Sequence, residues 1–285
     1  MNFEKYPCMK NTKFVKKIKK NAPIKERFVV QEKIHGSNFS FWSDVNETLP
    51  ARKCAFLKKG ENFYNYYENM RRLFEDLRCS DNVKVVIVCG ELYGGVYPGM
   101  KTLGAVIVQH EVLYCSHNDY IVFDIKIDDN YLPPHEVNEL CDKHDIPRLE
   151  ILEEGSLDDC LKYPNDFISR ISSIHGLPQK DGNICEGTVI KPVVPRTLRS
   201  GGRVILKNKN KKFSEVKEKT VQISEGKSDE ISDVAAIMSS YVRENRLKNV
   251  LSKMGLIGHD EDPNEYFKSL KHKMMRDVGC SIQTK

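Results

Sequence analysis

No stretch of this chain approaches the ~20 consecutive apolar residues that a membrane span requires. Its start, MNFEKYPCMKNTKFVKK, lacks the apolar centre of a secretion signal. Both absences point to a soluble protein of the cell interior, and in location to the cytoplasm. The nine cysteines are odd in number, scattered, and nowhere form C-x-x-C, which argues against a disulfide framework or a zinc site and for a reducing compartment. Three further motifs are absent although the sequence imitates them. Residues Gly94–Thr102 (GGVYPGMKT) nearly spell a phosphate loop, but Met100 stands between Gly99 and Lys101, so G-x-x-x-x-G-K-[ST] fails. His135, Cys141 and His144 lie close in sequence without an H-E-x-x-H, which excludes that type of metal helix. Cys185 has no histidine near it in sequence to serve as the base a thiol nucleophile needs.

What is present is a soluble, globular composition: 285 residues, 40% hydrophobic and 30% charged. That length buries a full core and fits one large domain, or a large one with a small companion. The net charge of +5 is modest, but the lysines are grouped. Lys10, Lys13, Lys16, Lys17, Lys19 and Lys20 crowd the N-terminal segment, as a solvated face or a phosphate-binding one. Lys207, Lys209 and Lys211 alternate with other residues in strand rhythm and share one face, which favours a phosphate-facing role.

Short runs rich in β-branched and aromatic residues predict strands at Val29–Val30, Phe39–Trp42, Val83–Cys89, Ala105–Val108, Tyr120–Ile127, Cys185–Lys191 and Arg203–Lys209. Helical spacing predicts helices over Phe63–Leu77, Pro133–Lys143, Leu157–Leu161 and Asn165–Ile174. A polar linker follows at 216–230. Beyond it apolar residues recur at helical spacing from Ile231 to Met254, and Pro263–Met275 offers another helix. The predicted architecture is α+β: a large domain of antiparallel sheets with flanking helices over 1–225, then a small all-helical domain over 226–285.

Lys33, in Glu32-Lys33-Ile34-His35-Gly36-Ser37-Asn38-Phe39, closes an apolar run and by itself reads as an ordinary strand-to-turn junction. Four partners change that reading: GELYGG at 90–95, YIVFDI at 120–125, CEGTVIKP at 185–192 and RVILKNKNKKFSE at 203–215. An ordinary lysine has a pKa near ~10.4 and is almost wholly protonated at neutral pH, so a nucleophilic lysine needs burial or neighbouring positive charge. Lys207, Lys209 and a bound divalent metal are candidates for that charge. Glu91 and Glu186 each sit beside a glycine at a strand end; one can accept hydrogen bonds from a ribose and the other can hold a hard cation. Phe123 is a core aromatic or a stacking surface for a base.

Together these motifs, in this order, resemble those of ATP-dependent RNA ligases of the phage RNA ligase 2 and RNA-editing ligase type, within the covalent nucleotidyltransferases. The likeness covers about 26 to 215, and more weakly YVRENRLKNVLSKMG at 241–255. It implies that Lys33 is the adenylated lysine, that Glu32 sits beside adenine, and that His35 and Asn38 lie near the ATP phosphates and metal. It implies further that Arg52 contacts ribose and the nucleic-acid end, that Glu91 holds the ribose, that Phe123 stacks on adenine, that Glu186 helps bind Mg²⁺ or Mn²⁺, and that Lys207 and Lys209 grip the AMP phosphate. Placing Arg52 requires a small gap, so Lys53 remains an alternative. His35 and Asn38 replace the aspartate and arginine of the K-x-D-G pattern, which points away from DNA ligases and capping enzymes. The implied substrates are ATP and RNA with 5′-phosphate and 3′-hydroxyl ends, nicked or bridged in a duplex. A ligase of DNA or hybrid ends, and a catalytically idle RNA-end-binding protein, are the alternatives.

Overall fold

The computed structural model describes residues 1–19, 26–65, 84–198, 201–213 and 262–282, with Leu247, Val250 and Leu251 besides. The chain divides into two compact units, Met1–Asn210 and Lys211–Lys285. The expected boundary near 225, the polar linker, the apolar stripes of 231–246 and most of the helix expected over Phe63–Leu77 lie outside the described residues.

The first unit holds two sheets, antiparallel but for one pair. Sheet A has the order β1-β11-β10-β2-β9, formed by β1 (Lys10–Asn11), β11 (Leu206–Lys209), β10 (Gly187–Pro192), β2 (Phe28–Glu32) and β9 (Glu153–Gly155). Sheet B has the order β5-β4-β3-β6-β7-β8, formed by β5 (Ala55–Phe56), β4 (Thr48–Arg52), β3 (Ser37–Asp44), β6 (Val85–Gly94), β7 (Asn118–Ile127) and β8 (Asn130–Tyr131). The exception is β1, which pairs with β11 in parallel, Lys10 opposite Leu206.

Alternation decides which face of each sheet is buried. On β2, Phe28 and Val30 pack with Ile190, Leu206, Leu157 and Cys160, under helix α3 (Leu157–Lys162), whose N-cap Ser156 accepts the Asp159 N–H at 3.3 Å. On sheet B, Phe39, Phe41, Val86, Val88 and Val122 pack with Val137 and Cys141. These last two are one helical turn apart on α2 (Pro134–Lys143), which starts on a proline as expected. Among the described residues this unit has two further α-helices, α1 (Val15–Lys19) and α4 (Ile171–Ile174).

Two expected elements are corrected. Ala105–Val108 is loop, because Asn118 satisfies its backbone in place of a neighbouring strand: the Val106 N–H donates to Asn118 Oδ1 at 2.8 Å and Asn118 Nδ2 donates to Val106 O at 2.6 Å. Asn165–Ile174 is helical only over its last turn, α4. Upstream, Ile168 bridges Ile184 and the Arg170 N–H turns to the Glu32 carboxylate. Strands β1, β4, β5, β8 and β9 were not foreseen. In the second unit α5 spans Pro263–Ile282, longer than expected, with Asp262 accepting the Asn264 N–H at 2.9 Å. No helix among the described residues is long and apolar enough to cross a membrane.

Candidate functional site

The chain leaves sheet A at Glu32 and enters sheet B at Ser37, so Lys33–Gly36 is the short passage between the two sheets. The Lys33 N–H donates to Gly187 O at 2.9 Å, which fastens this passage to the start of β10. Gly187 has φ +144, and a Cβ there would lie 2.2 Å from Asn208 O, so β11 can come this close only to a glycine. The result is that Glu186 stands between the Lys33 passage and β11. Lys33 Nζ donates to Glu186 Oε2 at 2.7 Å, and Lys209 Nζ lies 3.0 Å from Oε1. His35 Nδ1 is 3.6 Å from Oε2, and its Nε2 is 3.4 Å from Glu111.

Burial works to raise the Glu186 carboxyl, but the Lys33 and Lys209 ammonium groups, with His35 adding to them, outweigh it and hold the group well below the usual carboxylate range. Glu186 is therefore a fixed anion ringed by donors. Lys207 pairs with Val189 and Lys209 with Gly187, two steps along β11, which puts both lysines on one strand face as expected; Lys211 was expected there too but lies past the end of the strand, in a 3-10 turn (Lys211–Phe213).

Glu91 reaches the same region from sheet B. A Cβ on Gly36 would lie 2.9 Å from Glu91 Cγ and 2.2 Å from Leu92 O, so the passage and β6 touch only because residue 36 lacks a side chain. Asn38 is opposite Glu91 across β3 and β6. Asn38, Arg52 and Lys53 line one cleft with Ser40 and Lys126, under the segment Phe3–Tyr6; both candidates for the arginine position thus border the same space, and Arg52 also donates to Glu61 at 3.1 Å. Phe123 lies on β7 with its ring edge-on to Tyr6, centroids 5.1 Å apart.

Glu32, at the end of β2, is buried. Its carboxylate accepts from Ser169 Oγ at 2.6 Å and from the Arg170 N–H at 3.0 Å, yet burial pushes it up to about 7. Cys185 is no nucleophile: burial pushes its thiol up to about 12.

Sequence reasoning missed three groups here. The buried Tyr114 hydroxyl accepts the His35 N–H at 2.8 Å, and nothing in EVLYC announces it. Ser169 and Arg170 hold Glu32 from a segment that reads as helix. Asp124 is fully buried and accepts from Lys191 at 3.1 Å, from both terminal nitrogens of Arg203 at 2.6 and 3.1 Å, and from Tyr6. The Arg203 guanidinium also stacks 3.7 Å over the Tyr131 ring. Because Asp124 belongs to sheet B and Lys191 to sheet A, this cluster fixes the two sheets together. Its signal lay within the motifs themselves, in the D of YIVFDI and the K of CEGTVIKP.

Residues 26–209 match the family model described as RNA ligase, and residues 224–280 match that of the T4 RNA ligase 2 C-terminal region. The chain belongs to the RNA ligase family. Among curated relatives, this RNA ligase family member is 25% identical to the mitochondrial RNA-editing ligase 2 of Trypanosoma brucei brucei, over 89% of this chain and 76% of the relative. It is 24% identical to RNA-editing ligase 1 of the same organism, over 85% and 67%. Its fold matches that of an RNA ligase from Naegleria gruberi, in a mutant solved with ATP and Mn (TM-score 0.52, 16% identity, 74% of this chain and 57% of that one) and in a structure with PPi (TM-score 0.52, 16% identity, 73% and 56%). The family member thus spans a little over half the length of the Naegleria chains.

Proposed function

We propose that this chain joins RNA ends at the expense of ATP, through a covalent adenylate on Lys33. The single observation that carries this reading is the pairing of Lys33 and Lys209 on the two oxygens of buried Glu186, at 2.7 and 3.0 Å, inside a domain of the RNA ligase family. A lysine and a second cation on one anion is what phosphoryl chemistry on nitrogen needs: a nucleophile, charge to meet the phosphate, and a carboxylate to hold a hard cation.

In this reading the neutral Lys33 amine attacks the α-phosphorus of ATP. A P–N bond forms, the P–O bond to pyrophosphate breaks, and the nitrogen gives up its proton. A 5′-phosphate oxygen of RNA next attacks the same phosphorus and breaks the P–N bond, leaving an adenylated end. A 3′-hydroxyl then attacks the 5′-phosphate and expels AMP. Lys207 and Lys209 face the α-phosphate, Glu91 accepts from the ribose, Phe123 stacks on adenine, and Asn38, His35 and Arg52 border the phosphates and the RNA end. Glu32 presents a neighbouring polar wall to the base.

An anionic, buried carboxylate with two oxygen donors suits Mg²⁺ or Mn²⁺, and Glu186 is the residue that would hold it. Such an ion supplies positive charge to the phosphate oxygens as the bonds change. We further assign substrate handling to the helical part beyond residue 225, and the preferred substrate to a nicked or bridged RNA duplex in a reducing compartment, most simply the cytoplasm.

The test is incubation with ATP radiolabelled at the α-phosphate and Mg²⁺, followed by a denaturing gel. A covalent label that chases into a 5′-phosphate RNA supports the reading. Folded protein that takes no label is a binding module. A label that passes only to DNA ends makes it a DNA ligase.

A further inference from the structure

On the far side of Tyr114 from the Lys33 passage, the next residues run Cys115-Ser116-His117-Asn118-Asp119 into β7. Residues 116 and 117 form a bend that folds Cys115 back on His117, its Sγ 3.1 Å from His117 O, before β7 begins at Asn118 and carries Asp119. His175, just past α4, meets them there. One donor atom from each of Cys115, His117 and His175 lies within 4.8 Å of the others, and among the described residues this is the one such convergence of three or more metal-ligating side chains. Asp119 Oδ2 is 3.7 Å from His175 Nε2 and 4.0 Å from His117 Nε2.

We propose that these side chains form a structural site for a borderline-soft divalent ion, Zn²⁺ foremost, with Cys115, His117 and His175 as ligands and Asp119 in the fourth position. One sulfur and two imidazole donors with one carboxylate select Zn²⁺ over Mg²⁺ or Mn²⁺, which want oxygen throughout. A tetrahedral ion with bonds of about 2.0–2.3 Å sets its ligands roughly 3.3–3.8 Å apart, so Cys115, His117 and His175, now within 4.8 Å of one another, need to draw in by roughly 1–1.5 Å, and Asp119 has to swing in with them. The surroundings are built to leave the sulfur its place. Gly94 has φ +87, and a Cβ there would lie 2.7 Å from Cys115 Sγ and 2.2 Å from His117 O. The Tyr93 hydroxyl, 3.0 Å from His175 Nε2 and donating to Asp119 Oδ2 at 3.4 Å, would yield that ring nitrogen to an arriving ion and keep its contact with the carboxylate. Cys115 and Tyr93 are buried, while His117 remains accessible at 41% of its side chain, leaving an ion a way in.

The placement gives such an ion something to do. It joins the start of β7 to the segment after α4; Cys115 adjoins Tyr114, and His175 lies five residues past Arg170 across the single turn of α4. Tyr114, next to Cys115, holds His35; Ser169 and Arg170, just before α4, hold Glu32. The ion would therefore brace the wall of the site without touching ATP or RNA.

Co²⁺ titration of the full chain, in excess Mg²⁺ to occupy oxygen-lined sites, reads the thiolate directly. The expected result is one equivalent bound with a thiolate-to-cobalt charge-transfer band, displaced by one equivalent of Zn²⁺, and a thermal midpoint raised by Zn²⁺. Cys115→Ser should lose the band, and His117→Asn, at an accessible position that folding does not depend on, should lower Zn²⁺ affinity at least tenfold. Wild-type protein with no thiolate band overturns the proposal. So does a band that survives Cys115→Ser, since another of the cysteines would then be the ligand. Should Cys115→Ser fail to fold, unchanged Zn²⁺ affinity in His117→Asn overturns it alone.

Discussion

Glu186 and Asp124 are both buried carboxylates, each flanked by two basic side chains, and they differ in which cations surround them and how open those cations are. Around Glu186 the cations are lysines that keep some access to solvent, 14% for Lys33 and 12% for Lys209. Around Asp124 they are a lysine and a two-pronged arginine closed to 3% and 5%, with a tyrosine sealing the remaining side. Lysine is a point charge on a flexible stem that exchanges partners readily, whereas arginine's planar fork fixes geometry. The open set is suited to trade its contacts for those of an arriving nucleotide; the closed set is suited to stay as it is. Burial and pairing alone therefore do not distinguish chemistry from construction. The type of cation and its exposure do.

The comparison breaks most visibly at Lys33. Lys33→Ala should abolish the labelled protein–AMP adduct while leaving denaturation nearly unchanged, and should keep sealing of RNA that already carries a 5′-adenylate, because the amine is needed only for the first transfer. An acid-labile adduct on the variant would show that another residue is the nucleophile.

Asp124→Ala should do the reverse. It strands Lys191 and Arg203 as buried, unpaired charges, which costs about 3–5 kcal/mol, measured as a lower midpoint in urea. A loss under 1 kcal/mol would mean that the two sheets hold together without this cluster.

Next in size, Lys209→Ala and Lys207→Ala should each slow self-adenylation by ~10²–10³-fold, the usual cost of losing a preorganised charge at a developing one, with circular dichroism unchanged. Near-normal labelling in both would make β11 a solvated basic edge.

Much of this contrast was legible in sequence, and the reason is the period of two. Lys207 and Lys209 had to share a face once β11 was a strand, and the glycine at 187 marked the close approach beside Glu186; that Gly36 lets Glu91 approach the Lys33 passage was not legible. What alternation cannot convey is contact between segments far apart in the chain. Tyr114 on His35, Ser169 on Glu32 and Asp124 between two sheets each join residues at least 67 positions apart. Local pattern also erred where a side chain replaced a backbone partner, as Asn118 does for Val106. A search for C-x-x-C likewise passes over the proposed donors Cys115 and His117, whose third member, His175, comes from far along the chain.

The last expected effect concerns Glu32, whose pKa is raised by burial to about 7 from an ordinary 4.5. Between those values the folded protein holds a proton that the unfolded chain has released, so this group's contribution to stability is greatest below pH 4.5, falls as pH rises through 7 and levels off above it. The loss is about 3 kcal/mol at 1.36 kcal/mol per pKa unit. Glu32→Gln should flatten that part of the stability–pH curve relative to wild type; parallel curves would show that the carboxyl is ionised throughout.

The pairing of β1 with β11 has a consequence in time. The strand that opens the chain, at Lys10–Asn11, lies beside the one that completes the first unit, at Leu206–Lys209, and Lys33 waits 153 positions for Glu186. On a ribosome, every intermediate before β11 emerges holds Lys33 without Lys207 and Lys209, and once β10 has emerged its edge stays unpaired until β11 follows. Assembly dominated by such distant partners is slow. Sheet A, and with it any capacity to react with a nucleotide, is therefore expected to appear late and all at once, when the strand bearing Lys207 and Lys209 slots between the first strand of the chain and β10.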